Sequence, residues 1–127
     1  MKRTLIALPL SLALAGAAWA DGKTDESMLK LATTSGCMTC HHIDTGAKGP
    51  DGLPPIGPAW RDVAAKYKGQ KDAAKQLSKT VQAGSNPYES HWKGKVSGLA
   101  MPPNKVAISE ADTRKLANWI LHLEPRS

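Results

Sequence analysis

Gly36-Cys37-Met38-Thr39-Cys40-His41 is the stretch on which the reading of this 127-residue chain turns. Its two cysteines are the only ones in the chain, they stand two residues apart, and a histidine follows directly. The pattern is C-x-x-C-H, the attachment sequence for c-type haem. The spacing has a physical reason. Two thiols add across the two vinyl groups of a porphyrin, and two intervening residues wound as one turn at a helix end let both sulfurs reach them. The next residue, His41, is then carried under the iron as the proximal ligand.

Two other chemistries use closely spaced cysteines. A redox-active dithiol needs a βαβ setting, and the chain shows no strand alternation. A structural zinc site needs about four ligands. Cys37, Cys40, His41 and His42 are too contiguous to close a tetrahedron, and the remaining histidines do not repeat the pattern.

Working outward, the first twenty residues read as a processing signal. Lys2 and Arg3 make a positive start, Leu5 to Ala18 is apolar apart from Pro9 and Ser11, and Ala18-Trp19-Ala20 is a small-x-small cleavage pattern. The apolar run falls short of the roughly 20 residues of a membrane span. No cysteine stands at the cleavage point to take a lipid. The expectation is a translocated, periplasmic chain with no stable membrane insertion, divided into a cleaved leader at 1–20 and one domain at 21–127. An oxidising compartment makes the paired cysteines informative, because unused thiols there would pair.

The charge is basic, +6 for the whole chain. Without Lys2 and Arg3, fifteen basic residues against eleven acids leave +4. Such an excess suits docking to an acidic partner. The lysines are spread rather than clustered, and with export this argues against nucleic acid. A chain of roughly 100 residues buries a modest fraction of its surface. This one has no phenylalanine, and only three tryptophans and two tyrosines follow Ala20. A large apolar cofactor would fill so thin a core.

The apolar spacing predicts an all-α domain of about four helices. Thr24 or Asp25 caps a first helix that runs to about Ser35, with Met28, Leu31 and Ala32 on one face and Gly36 as its stop. A Gly/Pro-rich loop follows from Gly46 to Pro58, then a short helix from about Ala59 to Tyr67. A third helix spans about Asp72 to Ala83, with Ala73, Leu77 and Val81 in line and Gly84 at its end. The segment from Ser85 to Lys105 is irregular. Ser109 caps the last helix, with Asp112 three residues on in a variant capping box. Its stripe is Leu116, Trp119, Ile120 and Leu123, and Pro125 ends it.

The second axial ligand is a separate question. Met38 lies inside the attachment turn and Met28 on the first helix, where packing is its natural role. Met101 lies far downstream, followed by Pro102-Pro103, which stiffen the backbone where a thioether must be held. His91, in the irregular segment, is the rival. His122 and His42 read as exposed.

With these residues assembled, the chain resembles the class I monohaem cytochromes c, especially the short bacterial periplasmic electron carriers. The likeness runs from about Asp25 to Leu123. It is carried by Gly36 to His41, by Gly57-Pro58 with Val63-Ala64-Ala65-Lys66-Tyr67, by Gly84-Ser85 with Trp92 and Gly94, by Met101-Pro102-Pro103-Asn104, and by Leu116 to Leu121. The resemblance implies one covalent haem c on Cys37 and Cys40, with His41 and Met101 as axial ligands. It implies that the Pro58 carbonyl orients His41, that Trp92 sits near a propionate, that Asn104 holds the methionine loop and that Trp119 is core where the terminal helices cross. Three places depart from the short-carrier pattern. The Gly46 to Pro55 loop is longer and offers a second Gly-Pro step at Gly49-Pro50. The stretch from Asn86 to Ala100 is also longer. Ala32 stands where an aromatic is often found, which removes contact with Trp119 on the scale of about 3–5 kcal/mol unless something compensates.

The function implied is one-electron transfer, as a free shuttle or as the cytochrome subunit of a dehydrogenase, with no catalysis of its own. Met/His ligation leaves no open position and raises the potential. Lys66, Lys93, Lys95 and Lys105 are candidates to steer an acidic redox partner. The alternatives are a haem-based sensor or enzyme with an open or displaceable sixth position, and a haem-free dithiol protein.

Overall fold

The structure, a computed structural model, describes residues 17–124, with side chains from Thr24 onward. The expected leader lies outside the described residues as far as Gly16, and so does Pro125. The described residues form four helices: α1 (Ala17–Thr34), α2 (Trp60–Tyr67), α3 (Ala73–Ala83) and α4 (Glu110–Leu121). Short 3-10 turns occupy Cys37–Thr39 and Pro50–Gly52. Among the described residues there is no strand, only one isolated bridge between Lys93 and Val96.

The first helix departs from expectation at its start. It runs straight through Thr24 and Asp25, so neither residue caps it. The Asp25 carboxylate instead accepts from the Trp119 indole N–H at 2.7 Å, which ties α1 to α4. At its other end the chain turns at Gly36, whose φ of 76° is a left-handed conformation that costs glycine nothing. Backbone N–H groups of Ser35 and Gly36 reach back to Leu31 and Thr33 and close the last carbonyls.

α2 and α3 start and stop within a residue of the expected positions, and α4 starts where expected but ends at Leu121, short of Leu123 and of the Pro125 stop. Ala59, in extended conformation after Pro58, opens α2, and Asp62 complements the dipole in its first turn. Gly84 ends α3 with φ 86°. Ser109 caps α4: its Oγ accepts from the Asp112 N–H at 3.1 Å and donates to the Asp112 carboxylate at 2.9 Å.

α4 packs against all three other helices. Its buried face is Thr113, Leu116, Ala117 and Ile120, while Trp119 and Leu123 are half-buried at its margin. Ala32 of α1 is wholly buried in the same core as Trp60, Val63, Ile108, Leu116 and Ile120. The central buried aromatic is therefore Trp60 (4% exposed) rather than Trp119. Trp60 meets Trp119 edge-to-face at 5.8 Å. Ala32 and this indole belong to the same buried cluster. Thr113, the most enclosed polar residue, accepts from Gln82 of α3 at 2.6 Å and donates to the Ser109 carbonyl at 2.8 Å. Burying it thus costs little.

Candidate functional site

The attachment turn is built by the end of α1. After Gly36 the chain winds as a 3-10 turn, and the N–H groups of Cys40 and His41 both reach the Cys37 carbonyl, at 3.3 and 3.1 Å. This brings the two sulfur-bearing residues onto one turn and swings His41 beyond it. Burial pushes the Cys37 thiol above its ordinary pKa, with the neighbouring Cys40 adding to the effect. A reactive dithiol needs the opposite shift.

His41 is held from three sides. With the proton on Nδ1, it donates to the Pro58 carbonyl at 2.8 Å. Of the two Gly-Pro steps, it is thus the second that meets the ring. Gly49-Pro50 instead closes its own loop, Gly49 N–H donating to the Leu53 carbonyl at 2.8 Å. Trp60 stacks on His41 at 5.9 Å with 27° between the rings. Gly57 lies so close that a Cβ there would stand 2.9 Å from His41 Cε1. Burial is the main cause that lowers the His41 pKa, with the Pro58 hydrogen bond opposing it. Burial thus favours the neutral imidazole, and with the proton on Nδ1 the lone pair is on Nε2, the form a metal requires.

The segments that carry these groups are laced together. Gly57 N–H donates to the Cys40 carbonyl at 2.7 Å, Trp60 N–H to His42 at 2.8 Å, and Arg61 N–H to Ile43 at 3.1 Å. The Arg61 side chain pairs with Asp44 at 2.7 Å and also reaches the Glu124 carbonyl. The half-buried position of His42 follows from this lacing, in place of the exposure expected from sequence.

Met101 is fastened to the end of α3. Its N–H donates to Ser85 Oγ at 2.8 Å, and Ser85 N–H donates to the Met101 carbonyl at 2.9 Å. Asn104 locks the following residues: its N–H reaches the Val81 carbonyl at 3.0 Å, and its side-chain amide reaches the Pro102 carbonyl at 2.6 Å.

Cys37, Cys40, His41, Pro58, Trp92, Met101 and Asn104 all line one cavity of about 510 Å³. Met28, Met38, His42 and His122 do not line it. His91 does, but its ring is exposed, lies edge-on to Trp92 at 4.8 Å and accepts from Lys95 Nζ at 3.2 Å. The cavity is of the size that holds a cofactor. Its walls include Ile56, Val63, Leu77, Val81, Leu116 and Ile120. A flat apolar ring system fits such walls, two thiols on one turn at the edge fit covalent attachment, and an oriented neutral imidazole with a thioether fits iron. The donor chemistry therefore matches haem c.

Trp60 was missed as a site residue in the sequence, where its only signal was its closeness to Pro58. Gly57 carried the resemblance together with Pro58, but its tight contact with the His41 ring was not foreseen. Around the cavity rim, Lys66 Nζ lies 5.8 Å from the Tyr67 ring and Lys95 Nζ 5.8 Å from the Trp92 ring. Local desolvation, then the charges of Lys66 and Lys95, lower the His91 pKa. Lys93 and Lys105 are exposed.

Known proteins match this arrangement. The family model for cytochrome c matches residues 29–124. Cytochrome c-551 of Pseudomonas aeruginosa is 38% identical over 112 residues, covering 88% of this chain and 91% of that one. Cytochrome c-552 of Nitrosomonas europaea is 36% identical over 114 residues, covering 90% and 88%. The crystal structure of wild-type Nitrosomonas europaea cytochrome c552 superposes with a TM-score of 0.59, covering 76% of this chain and 99% of that one. No helix among the described residues is long and apolar enough to cross a membrane. With its all-helical fold, its C-x-x-C-H turn and these relatives, the chain belongs to the cytochrome c family.

Proposed function

We propose that this single-haem electron carrier attaches its haem c through Cys37 and Cys40 and ligates the iron with His41 and Met101. The observation that carries the assignment is the convergence of the attachment turn and the fastened Met101 loop on one apolar cavity. When bound, haem c supplies a one-electron couple at iron. The chain's residues supply the rest. Pro58 and Trp60 hold the imidazole plane, so His41 need not reorient when charge changes. Ser85 and Asn104 hold the thioether loop. The apolar walls exclude water, and the lower polarity favours the less charged, reduced state. With His41 and Met101 both holding the iron, no position would be left open for a substrate, which suits electron transfer rather than catalysis.

Residues 1–20 are read as an export leader that is removed, which puts the mature domain, from Asp21, in the periplasm. Lys66, Lys93 and Lys95 on the Trp92 side of the cavity, with the net positive charge, support docking to an acidic redox partner. Lys105, exposed and next to the cavity-lining Asn104, belongs to the same set of candidates.

The deciding experiment is the visible spectrum of the exported protein, oxidised and then reduced. Sharp c-type bands on reduction and a far-red methionine–iron band on oxidation are expected. Haem bands without the far-red feature would reject Met101 and turn attention to His91. No haem bands would reject covalent attachment. For docking, raising the ionic strength should slow association with an acidic partner, and a salt-independent rate would reject the lysine face.

A further inference from the structure

The two loops that exceed the short-carrier pattern, Gly46–Pro55 and Asn86–Ala100, meet each other beside the cavity. Ser97 N–H donates to the Pro55 carbonyl at 2.9 Å, and Gly98 N–H donates to the Ile56 carbonyl at 3.0 Å. The approach is so close that a Cβ on Gly98 would stand 2.4 Å from the Ile56 carbonyl oxygen. Only glycine allows this contact. The lower arm is anchored, since the next residue, Gly57, donates to the Cys40 carbonyl at 2.7 Å. The upper arm reaches Met101 within three residues of Gly98, through the exposed Leu99 and Ala100.

Met101 itself is held by Ser85 through both its N–H and its carbonyl, and Asn104 holds the residues that follow. On the N-terminal side, no hydrogen bond of Leu99 or Ala100 intervenes between Met101 and the paired loops. We propose that the pairing of Ser97-Gly98 with Pro55-Ile56 is a clasp that positions Met101, coupling the methionine loop to the segment that holds His41, and that Gly98 is its positioning residue. The inference rests on Met101 being the sixth ligand. Opening the clasp frees the loop to swing about Ser85, so the sixth position becomes accessible to outside ligands without unfolding of the helices.

The test uses the holoprotein as exported, with imidazole as the probe. Three quantities are read in wild type, Gly98→Ala, Ser97→Ala and Ser109→Ala: the far-red band, the rate of imidazole binding to the oxidised protein, and unfolding by guanidinium. Gly98→Ala should weaken the far-red band and speed imidazole binding about tenfold to a hundredfold, the effect of removing two backbone hydrogen bonds from the closed loop. Ser97→Ala removes only the long 3.4 Å bond from Ser97 Oγ to the Pro55 carbonyl and keeps both backbone bonds, so it should speed imidazole binding far less than Gly98→Ala. Ser109→Ala weakens the α4 cap, lowering global stability without touching the clasp, and should leave imidazole binding unchanged. If Gly98→Ala yields no holoprotein, one glycine inserted between Leu99 and Ala100 slackens the link while preserving the pairing, and the same speeding is expected. An unchanged band and rate in the clasp variant, or equal speeding by Ser109→Ala, overturns the proposal. A missing far-red band in wild type instead overturns the Met101 assignment, and the clasp role with it.

Discussion

Replacing Gly57 with alanine tests whether the His41 cradle is as tight as it looks. The added Cβ would lie 2.9 Å from His41 Cε1, 3.0 Å from Nδ1 and 3.1 Å from the Cys40 carbonyl oxygen. None of these neighbours yields easily. His41 is bonded to Pro58 at 2.8 Å and stacked on Trp60. The Cys40 carbonyl takes the 2.7 Å hydrogen bond from the Gly57 N–H itself. Relief therefore breaks the Gly57–Cys40 bond, the His41–Pro58 bond or both. Overpacking of this kind costs about 1–3 kcal/mol, and each lost hydrogen bond costs roughly 0.5–1.5 kcal/mol. Reduced freedom of the unfolded chain returns about 0.4–1 kcal/mol. The net expectation is a loss of about 2–4 kcal/mol, which for a domain of this size lowers Tm by roughly 10–25 °C. Thermal unfolding of the exported holoprotein, followed by circular dichroism, measures this directly. A tilted imidazole should also shift the reduction potential. A Tm within about 3 °C of wild type, together with an unchanged potential, would refute the cradle.

Three further outcomes follow from the same geometry. Trp60→Ala should cost about 3–5 kcal/mol in guanidinium unfolding, because it empties the centre of the core and removes the face on which His41 stacks; Trp119→Ala, from a half-buried site, should cost less. Ser109→Ala should cost roughly 1 kcal/mol by loss of the α4 cap, read as a lower unfolding midpoint. The hydrogen bond from Lys115, then that from Ser109, holds Asp112 below the usual carboxylate pKa, so its contribution to stability is present above the unfolded-state pKa and lost as pH falls through the lower folded value. Melting curves of Asp112→Asn and wild type should thus differ at neutral pH and converge in acid; a difference that persists unchanged in strong acid would contradict this.

Much of the fold was legible because its signals are local. Gly36, Gly84 and Ser109 mark helix ends through backbone conformation and capping chemistry that act within a few residues, and the structure has breaks at each. The start of α1 was misread for a related reason. Asp25 has the chemistry of a cap, but the indole N–H of a residue at the far end of the chain claims its carboxylate. The family resemblance implied Trp119 as the core aromatic, and it packs half-buried against a core whose enclosed indole is Trp60. Which of two tryptophans is enclosed in the core depends on how α2 packs against α4, and no local spacing records that.

The sequence by itself determined the chemistry. Two cysteines and a histidine at that spacing point to covalent haem whatever surrounds them, because attachment is a property of one turn. It also set the four-helix framework through glycine stops, one cap and apolar periodicity. Only the tertiary structure decided which of two Gly-Pro carbonyls meets His41, that Trp60 stacks on that ring, and that the two long loops clasp each other at Gly98. Those contacts join residues separated by 17 positions in the Pro58 case and by more than twice that between the loops. Packing, not local propensity, selects among such partners, since each candidate carbonyl or indole has the same chemistry until the helices bring one of them within reach.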